Sequence, residues 1–147
     1  MTKHLRSMLG LLALTIGGAA GVAVADTPAP PAAGADCAGH FTAEGSFFAG
    51  KKFNTWAEFA AVSKADLYTR VYTNVAKDGW QITSSDKDAG IISASQSVSF
   101  GKGTTAPLTI VIEAAGTGSK ATATFRVGGG QTTKEDTVKQ KLCSYFG

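Results

Sequence analysis

Apolar and polar residues alternate along the second half of the chain with the two-residue period of a β-strand. The alternation is clearest over residues 120–127, and it recurs over residues 80–84, 91–100 and 108–115. Short segments that contain Gly, Asp or Thr separate these four runs. Because strand side chains alternate between the two faces of a sheet, and short turns join antiparallel neighbours, the pattern predicts an antiparallel meander of four strands.

Another segment has the spacing of a helix with one apolar side. Leu67, Val71 and Val75 recur every four residues, after Ser63 as the predicted N-cap and before Gly79 as the predicted helix end. Residues four apart lie on the same side of a helix, so these three side chains predict an amphipathic helix packed against the sheet.

A second amphipathic helix is predicted after the glycines at 128–130. Thr133 is its predicted N-cap, with Asp136 at the capping-box distance, and Val138 and Leu142 begin its apolar stripe. The glycine run itself indicates a flexible connection between the last strand and this helix.

The segment before the first helix leaves two alternatives open. Over residues 53–60 the alternation fits a strand, whereas Trp56, Phe59 and Ala60 also fit one helical turn. Residues 37–50 show no clear pattern. The predicted fold is therefore α+β, in the order uncertain strand, helix, four strands, helix. One antiparallel sheet would carry both helices on a single face and leave its other face open to solvent.

One passage, KDGWQITSSDKDAGIISAS, has a distinctive order: a helix ends at a Gly–aromatic pair, then come a strand, an acidic turn with Gly, and a strand rich in small residues. The positions that carry this pattern are Gly79, Trp80, Asp86, Asp88, Gly90, Ile91 and Ala94. Residues 53–146 thereby resemble the helix-grip domains of BamC and similar small envelope lipoproteins. The resemblance implies a helix-grip fold and an association with the cell envelope. The matching positions are structural and carry over no catalytic residue.

The first 25 residues have the pattern of a secretory signal peptide. Lys3 and Arg6 supply a positive start, residues 8–16 are apolar, and residues 23–25 form a small-x-small cleavage site. We therefore expect cleavage after Ala25 and a periplasmic or secreted protein. The predicted organisation is a signal peptide over residues 1–25, a Pro/Ala-rich leader over 26–36 and a single α+β domain over 37–147.

Two alternatives to cleavage are a retained membrane anchor and a lipid anchor. An anchor over residues 8–25 would be at the short limit for spanning, and four glycines dilute it. A lipid anchor on Cys37 needs a small apolar residue before it, where this chain has Asp36. The sequence therefore has no lipobox, which departs from the envelope lipoproteins, and no membrane span is expected after cleavage.

Export changes the meaning of the two cysteines. Cys37 and Cys143 lie 106 residues apart, and two cysteines in an oxidising compartment usually pair. We predict a structural disulfide. The alternative is a redox-active or nucleophilic thiol, for which the chain lacks a Cys-x-x-Cys motif.

The charge balance points away from nucleic acid. The full chain has a formal net charge of +3, but residues 1–25 contain two of the 14 basic residues and none of the 11 acidic ones. The remaining chain has 12 basic and 11 acidic residues, a net charge of +1. Because no basic stripe is left to neutralise phosphates, the expected partner is an envelope protein or polymer, with the oligomeric state left open.

Few residues suit catalysis or metal binding. His40 is the only histidine after the predicted signal peptide, and Cys37 is its one nearby candidate nucleophile, which a disulfide would remove. A zinc site would draw on Asp36, His40 and Glu44, which neighbouring glycines keep off a helix. We predict no metal, no cofactor and no catalytic residue.

Carboxylates and one glycine-rich loop give weaker candidates. Asp86 and Asp88 fit a turn better than a glycosidase pair. Glu113 is a lone acid in an apolar strand, where it is either solvated on the open face or buried as a candidate site. Residues 101–104 contain Gly-Lys but lack the spacing of a phosphate loop.

The open face of the predicted sheet is the candidate binding surface. By alternation it carries Gln81, Thr83, Ser93, Ser95, Ser97, Thr109, Glu113, Thr122, Thr124 and Arg126. Ile82 and Ser84 fall on the opposite face. Such a hydroxyl-rich face is either an ordinary solvated surface or a docking surface for a polar partner, such as a glycan or a protein strand at an open edge. Stacking of a sugar would need Trp56 or Tyr68 at the rim.

These observations favour an exported, non-enzymatic small domain that acts as a periplasmic binding module or envelope accessory. One alternative is a secreted inhibitor of a hydrolase, which would use a loop such as residues 86–90 or 101–105. The other is an enzyme that uses Glu113, Asp86 or His40.

Overall fold

The computed structural model describes residues 36–99 and 103–147. The predicted signal peptide, nearly all of the leader and part of the 101–105 loop lie outside these residues. A 3₁₀ turn (Cys37–His40) comes first. The further elements are β1 (Thr42–Ser46), β2 (Gly50–Phe59), α1 (Lys64–Lys77), β3 (Gln81–Asp86), β4 (Ile91–Ser97), β5 (Thr105–Ala115), β6 (Gly118–Val127) and α2 (Glu135–Ser144).

The described strands form one antiparallel sheet in the order β1-β2-β6-β5-β4-β3. The α+β class is confirmed, but the predicted strand count is wrong, because the sheet has six strands. Residues 53–59 lie in β2 and Ala60 in the turn that follows, so the strand alternative was right and the helical turn wrong. The additional strand is β1. All five of its residues are exposed, so it has no apolar alternation by which the sequence could reveal it.

Helix α1 starts and ends where its sequence predicts. The Ser63 hydroxyl oxygen accepts a hydrogen bond from the Asp66 backbone N–H at 3.1 Å, and the hydroxyl donates to the Asp66 carboxylate at 2.7 Å. Leu67, Val71 and Val75 are fully buried. The apolar stripe therefore packs on the sheet as a continuous seam.

Helix α2 begins later than predicted. Lys134 occupies the N-cap and makes no side-chain cap hydrogen bond, so the assignment of Thr133 as the cap is wrong. Glu135 and Asp136 instead place negative charge in the first turn, where the helix dipole favours it. Val138 and Leu142 are buried as predicted. Within residues 36–99 and 103–147, neither helix is long and apolar enough to cross a membrane.

Both helices share one core with the inward face of the sheet. Strand residues that alternate inward, among them Phe53, Ile92 and Ile110, form a single apolar cluster with Leu67 of α1 and Leu142 of α2. Because both helices bury their stripes against this face, no helix of residues 36–99 and 103–147 covers the other face of the sheet.

The predicted disulfide between Cys37 and Cys143 is present, with the two Cα atoms 5.6 Å apart. It joins the 3₁₀ turn to α2. The fully buried Thr55 of β2 donates a hydrogen bond to the Cys37 carbonyl at 2.5 Å. The disulfide therefore holds α2 against the β1–β2 side of the sheet, and Cys37 has no free thiol.

Reduction of the disulfide is expected to lower the free energy of unfolding by about 2–4 kcal/mol, because the unfolded chain then regains the freedom that the closed loop removes. Urea unfolding of the oxidised and the reduced wild-type protein measures the change without altering a side chain. Mass spectrometry of the oxidised protein should find both thiols blocked. Equal unfolding midpoints for the two forms would contradict the clamp.

Candidate functional site

The face of the sheet opposite the helices carries a row of polar side chains. Strand register aligns Asn54, Thr124, Thr109, Ser93 and Ser84 across five strands. The Thr124 hydroxyl donates to the Asn54 side-chain oxygen at 2.9 Å. Hydroxyl and amide groups therefore cross the open face in register, as the alternation predicted for most of them.

The register also locates the other residues predicted for this surface. Side chains that alternate with buried core residues, and so lie on the open face, are Ser93, Ser95, Ser97, Thr109, Glu113, Thr122, Thr124 and Arg126. The pairing of β3 with β4 shifts between Ile82 and Ser84, so Thr83 is the residue of a bulge and has no partner. Ser84 consequently pairs with Ser93 in the open-face row, and its assignment to the core face is wrong because alternation does not foresee a bulge.

A second row on this face is largely apolar. Trp56, Thr122, Val111 and Ile91 align across β2, β6, β5 and β4. Ile91 is 38% exposed, and Val111 is half-buried. The open face is therefore not uniformly hydroxyl-rich. Ile91 and Val111 stand next to apolar residues that face the core. In the sequence they therefore read as part of a continuous apolar run, and their position on the open face is not apparent.

Trp56 lies on the open face, but its ring is already in contact with protein groups. The His40 ring stacks on it with centroids 3.4 Å apart, and the Lys120 ammonium lies 4.2 Å from the ring centroid. His40 precedes β1 and Lys120 belongs to β6, so the two groups reach the indole from opposite sides of β2. Tyr68 is buried on α1. Neither aromatic residue therefore offers a free stacking surface for a sugar.

The candidate catalytic residues do not converge: Cys37 and His40 share the 3₁₀ turn, whereas Asp86 lies in β3 and Glu113 in β5. Cys37 is bonded to Cys143, His40 stacks on Trp56, and Glu113 is exposed opposite Lys120 in the β5–β6 register. The Asp86 carboxylate accepts a hydrogen bond from the Ala89 backbone N–H at 2.8 Å, as expected of a turn residue. Among residues 36–99 and 103–147, no group of three or more His, Cys, Asp or Glu side chains is placed to hold a metal.

The most exposed aromatic residues lie in the turn between β1 and β2. We call residues 47–49 the Phe turn. Phe48 is 88% exposed and Phe47 is 44% exposed, and their rings pack edge to face with centroids 5.2 Å apart. Sequence reasoning missed this turn, although two adjacent Phe residues between Gly45 and Gly50 were a usable signal: neighbouring strand residues cannot both face the core.

The backbone of the Phe turn is fixed by the glycine run of residues 128–130. The Gly130 backbone N–H donates to the Phe47 carbonyl at 2.7 Å, and the Ser46 hydroxyl accepts from the Ala49 backbone N–H at 3.2 Å. Gly129 lies so close to the Phe48 carbonyl that a Cβ atom would overlap it. The glycine run was predicted to be a flexible connection. The glycine run instead packs directly against the backbone of the Phe turn. Residues without a side chain are needed there because the two backbone segments are in contact.

Charged residues surround the base of the turn. The Lys51 ammonium lies 2.7 Å from the Glu135 carboxylate, which ties β2 to α2, and the Lys52 ammonium lies 3.3 Å from the Glu44 carboxylate. Arg126 is exposed and makes no ion pair with another described residue. An open depression of about 450 Å³ lies among Glu44, Lys51, Lys52 and Arg126.

A separate polar network lies where α1 ends against α2. The Trp80 indole N–H donates to the Tyr145 hydroxyl at 2.6 Å, and that hydroxyl donates to the Asp78 carboxylate at 2.6 Å. Lys141 donates to the other oxygen of Asp78. Burial raises the pKa of Asp78, but the hydrogen bonds from Lys141 and Tyr145 outweigh burial, so this pKa lies below its ordinary value.

The same contacts act in the opposite direction on Tyr145. Burial and the neighbouring Asp78 carboxylate both raise the pKa of the Tyr145 hydroxyl, so it remains a proton donor. The network therefore fixes the ring of Tyr145 and the indole of Trp80 in place.

Comparison with known proteins adds no assignment. The sequence matches no protein-family model, and a search of the curated proteins gives no significant match.

Replacing Asp78 by Asn is expected to flatten the acid side of the stability profile. The pKa of Asp78 is lower in the folded than in the unfolded chain, so the ionised carboxylate stabilises the fold above its ordinary pKa of 3.8. That stabilisation is lost as the pH falls through the folded value. Wild type should therefore lose more stability than Asp78→Asn as the pH falls from about 5 towards 2.

Chemical unfolding at several pH values measures this difference. Asp88→Asn is the matched control, because its side chain is exposed in the turn after β3 and makes no described hydrogen bond or ion pair. Parallel acid profiles for wild type and Asp78→Asn would contradict the assignment.

Proposed function

We propose that this protein is an exported, non-catalytic binding module that holds a partner macromolecule by the Phe turn and the adjoining open face of the sheet. The observation that carries the proposal is the combination of exposure and fixation at the turn. Phe48 is 88% exposed, while the backbone of the turn is hydrogen-bonded to the glycine run.

Exposed aromatic side chains on a fixed backbone are suited to binding. An exposed Phe gains free energy when a partner removes it from water, and aromatic residues dominate the binding energy of many interfaces. A turn that is already ordered loses little conformational entropy on association. The Phe turn therefore has the properties of an anchor that enters an apolar pocket of the partner.

The open face supplies the polar surroundings that such an anchor needs. Arg126 lies beside the depression at the base of the turn, and the row from Asn54 to Ser84 offers hydroxyl and amide groups. Interfaces commonly combine a small apolar centre with a polar rim. The Phe turn as the centre and the open face as the rim fit this arrangement.

The proposed compartment is the periplasm or the exterior of the cell. The Cys37–Cys143 disulfide supports this, because structural disulfides persist where thiols are not kept reduced. The signal-peptide pattern of residues 1–25 supports it independently. The resemblance to helix-grip domains of envelope lipoproteins makes a protein or polymer of the cell envelope the proposed partner.

A second candidate function is inhibition of a secreted hydrolase. A fixed loop with an exposed aromatic side chain on a disulfide-clamped domain also suits an inhibitor, and the Phe turn is such a loop, with Phe48 88% exposed. The two functions differ in the partner: an inhibitor binds one hydrolase and lowers its activity.

A photo-crosslinking amino acid in place of Phe48 is expected to capture one dominant envelope protein in intact cells. The same group in place of Thr73, which is exposed on the outer side of α1, should not capture it. Mass spectrometry identifies the captured protein. Capture of a single hydrolase that the purified protein inhibits would favour the second function.

The purified partner then tests the turn quantitatively. Phe48→Ser should weaken binding at least about tenfold, because it removes the proposed anchor. Gly129→Ala should also weaken binding, since its Cβ would displace the Phe48 carbonyl, whereas Gly128→Ala meets only ordinary contacts and serves as the control. Unchanged affinity in Phe48→Ser would refute the proposal, even if the partner is genuine.

A further inference from the structure

A second surface, on the helix side of the sheet, is independent of the proposed function. A groove of about 170 Å³ opens between α2 and the inward face of the sheet. Its apolar walls come from Trp80, Phe125, Val138, Leu142 and Tyr145. An adjoining depression of about 160 Å³ extends it along the sheet.

The aromatic walls of the groove are held in fixed positions. The rings of Trp80 and Phe125 meet edge to face, with centroids 5.6 Å apart and planes at 89°. The Trp80 indole N–H is satisfied by Tyr145, and the Tyr145 hydroxyl by Asp78. Because these polar atoms are already hydrogen-bonded, Trp80, which is 7% exposed, presents the edge of its ring to the groove, and the nearly buried Tyr145 holds that ring from behind.

The mouth of the groove is polar and carries one type of charge. Gln96 stands in β4 on the same face as the buried Ile92 and Ala94, yet it is exposed at the groove. Thr133 and Thr137 add hydroxyl groups. Among the described lining residues Lys141 is the only charged one, and its ammonium has donors left beyond its bond to Asp78.

We propose that this groove binds a small aromatic carboxylate, with the ring between Trp80, Phe125 and Leu142 and the carboxylate near Lys141. The volume suits one ring, since an apolar cavity of about 150 Å³ in another protein binds benzene. The aromatic walls favour a planar apolar group by edge-to-face contact. Lys141 is ion-paired with Asp78, which lies outside the lining, and the remaining N–H donors of its ammonium are placed to bind an anionic substituent at the mouth of the groove.

The test uses three probes that differ only in charge: benzoate, benzyl alcohol and benzylammonium. The chain has two tryptophans, so Trp56→Phe makes Trp80 the sole fluorescent indole. Titration should change Trp80 fluorescence saturably, with benzoate binding at least about fivefold more tightly than the other two. In the wild-type protein, the NMR resonance of the Trp80 indole N–H provides the same titration without any substitution.

Two pairs of variants test separately how the aromatic ring and the charge of the probe contribute to binding. Lys141→Gln should remove the preference for benzoate. Because Lys141 also bonds to Asp78, the Trp80 indole N–H resonance of the free variant checks that the walls keep their positions, and benzyl alcohol should then bind as in wild type. Lys139→Gln on the same helix is its control. Thr137→Phe should block all three probes, and Gln140→Phe, outside the groove, should not.

The outcomes decide each part of the inference. Absence of saturable binding in wild type, or equal binding in Thr137→Phe and Gln140→Phe, would overturn the site. Equal affinity for benzoate and benzyl alcohol would overturn the anionic class of ligand. None of these results bears on partner binding at the Phe turn, which the crosslinking experiment tests separately.

Discussion

The pairing of β2 with β6 determines where every other part of the molecule lies. The two strands run side by side from the Lys51–Val127 pair to the Phe59–Ser119 pair. This contact joins segments that are far apart in sequence, and it places the N-terminal hairpin beside the end of the meander. Without this pairing, β1 and β2 would not be joined to the other four strands. Helix α1, which connects β2 to β3, would then not cross one continuous sheet. The glycine run follows β6 directly, so the same pairing brings it against the Phe turn.

The spacing of apolar residues was sufficient to predict the helices and strands that bury one of their sides in the core. It was insufficient for the elements that bury neither side. Leu67, Val71 and Val75 could be assigned to α1 because a helix must put them together. The residues of β1 are all exposed, so nothing in their order required a strand. The bulge at Thr83 and the late start of α2 are decided by pairing and packing with distant residues, which local sequence does not contain.

The candidate sites likewise divide into features that the local sequence predicts and features that depend on contacts between distant residues. Most of the polar open face followed from alternation, because one face of the sheet was predicted to be buried. The sequence left open whether Trp56 or Tyr68 could stack on a sugar, and the contacts of Trp56 with His40 and Lys120 depend on three elements meeting. The groove could not be predicted, since it arises where Gln96 interrupts an apolar face beneath α2. A groove that forms between a helix and a sheet is not encoded by a pattern within the sequence of either element.

The position of Cys37 has a mechanical consequence. Residues before it enter the domain at a point that is covalently joined to α2, ahead of β1 in the chain. A pulling force transmitted along those residues would pass through the disulfide into α2 and the core. It would bypass β1, which is an edge strand with only one neighbour and would otherwise peel away first. Tension that enters through the residues before Cys37 therefore reaches the core without first loading β1.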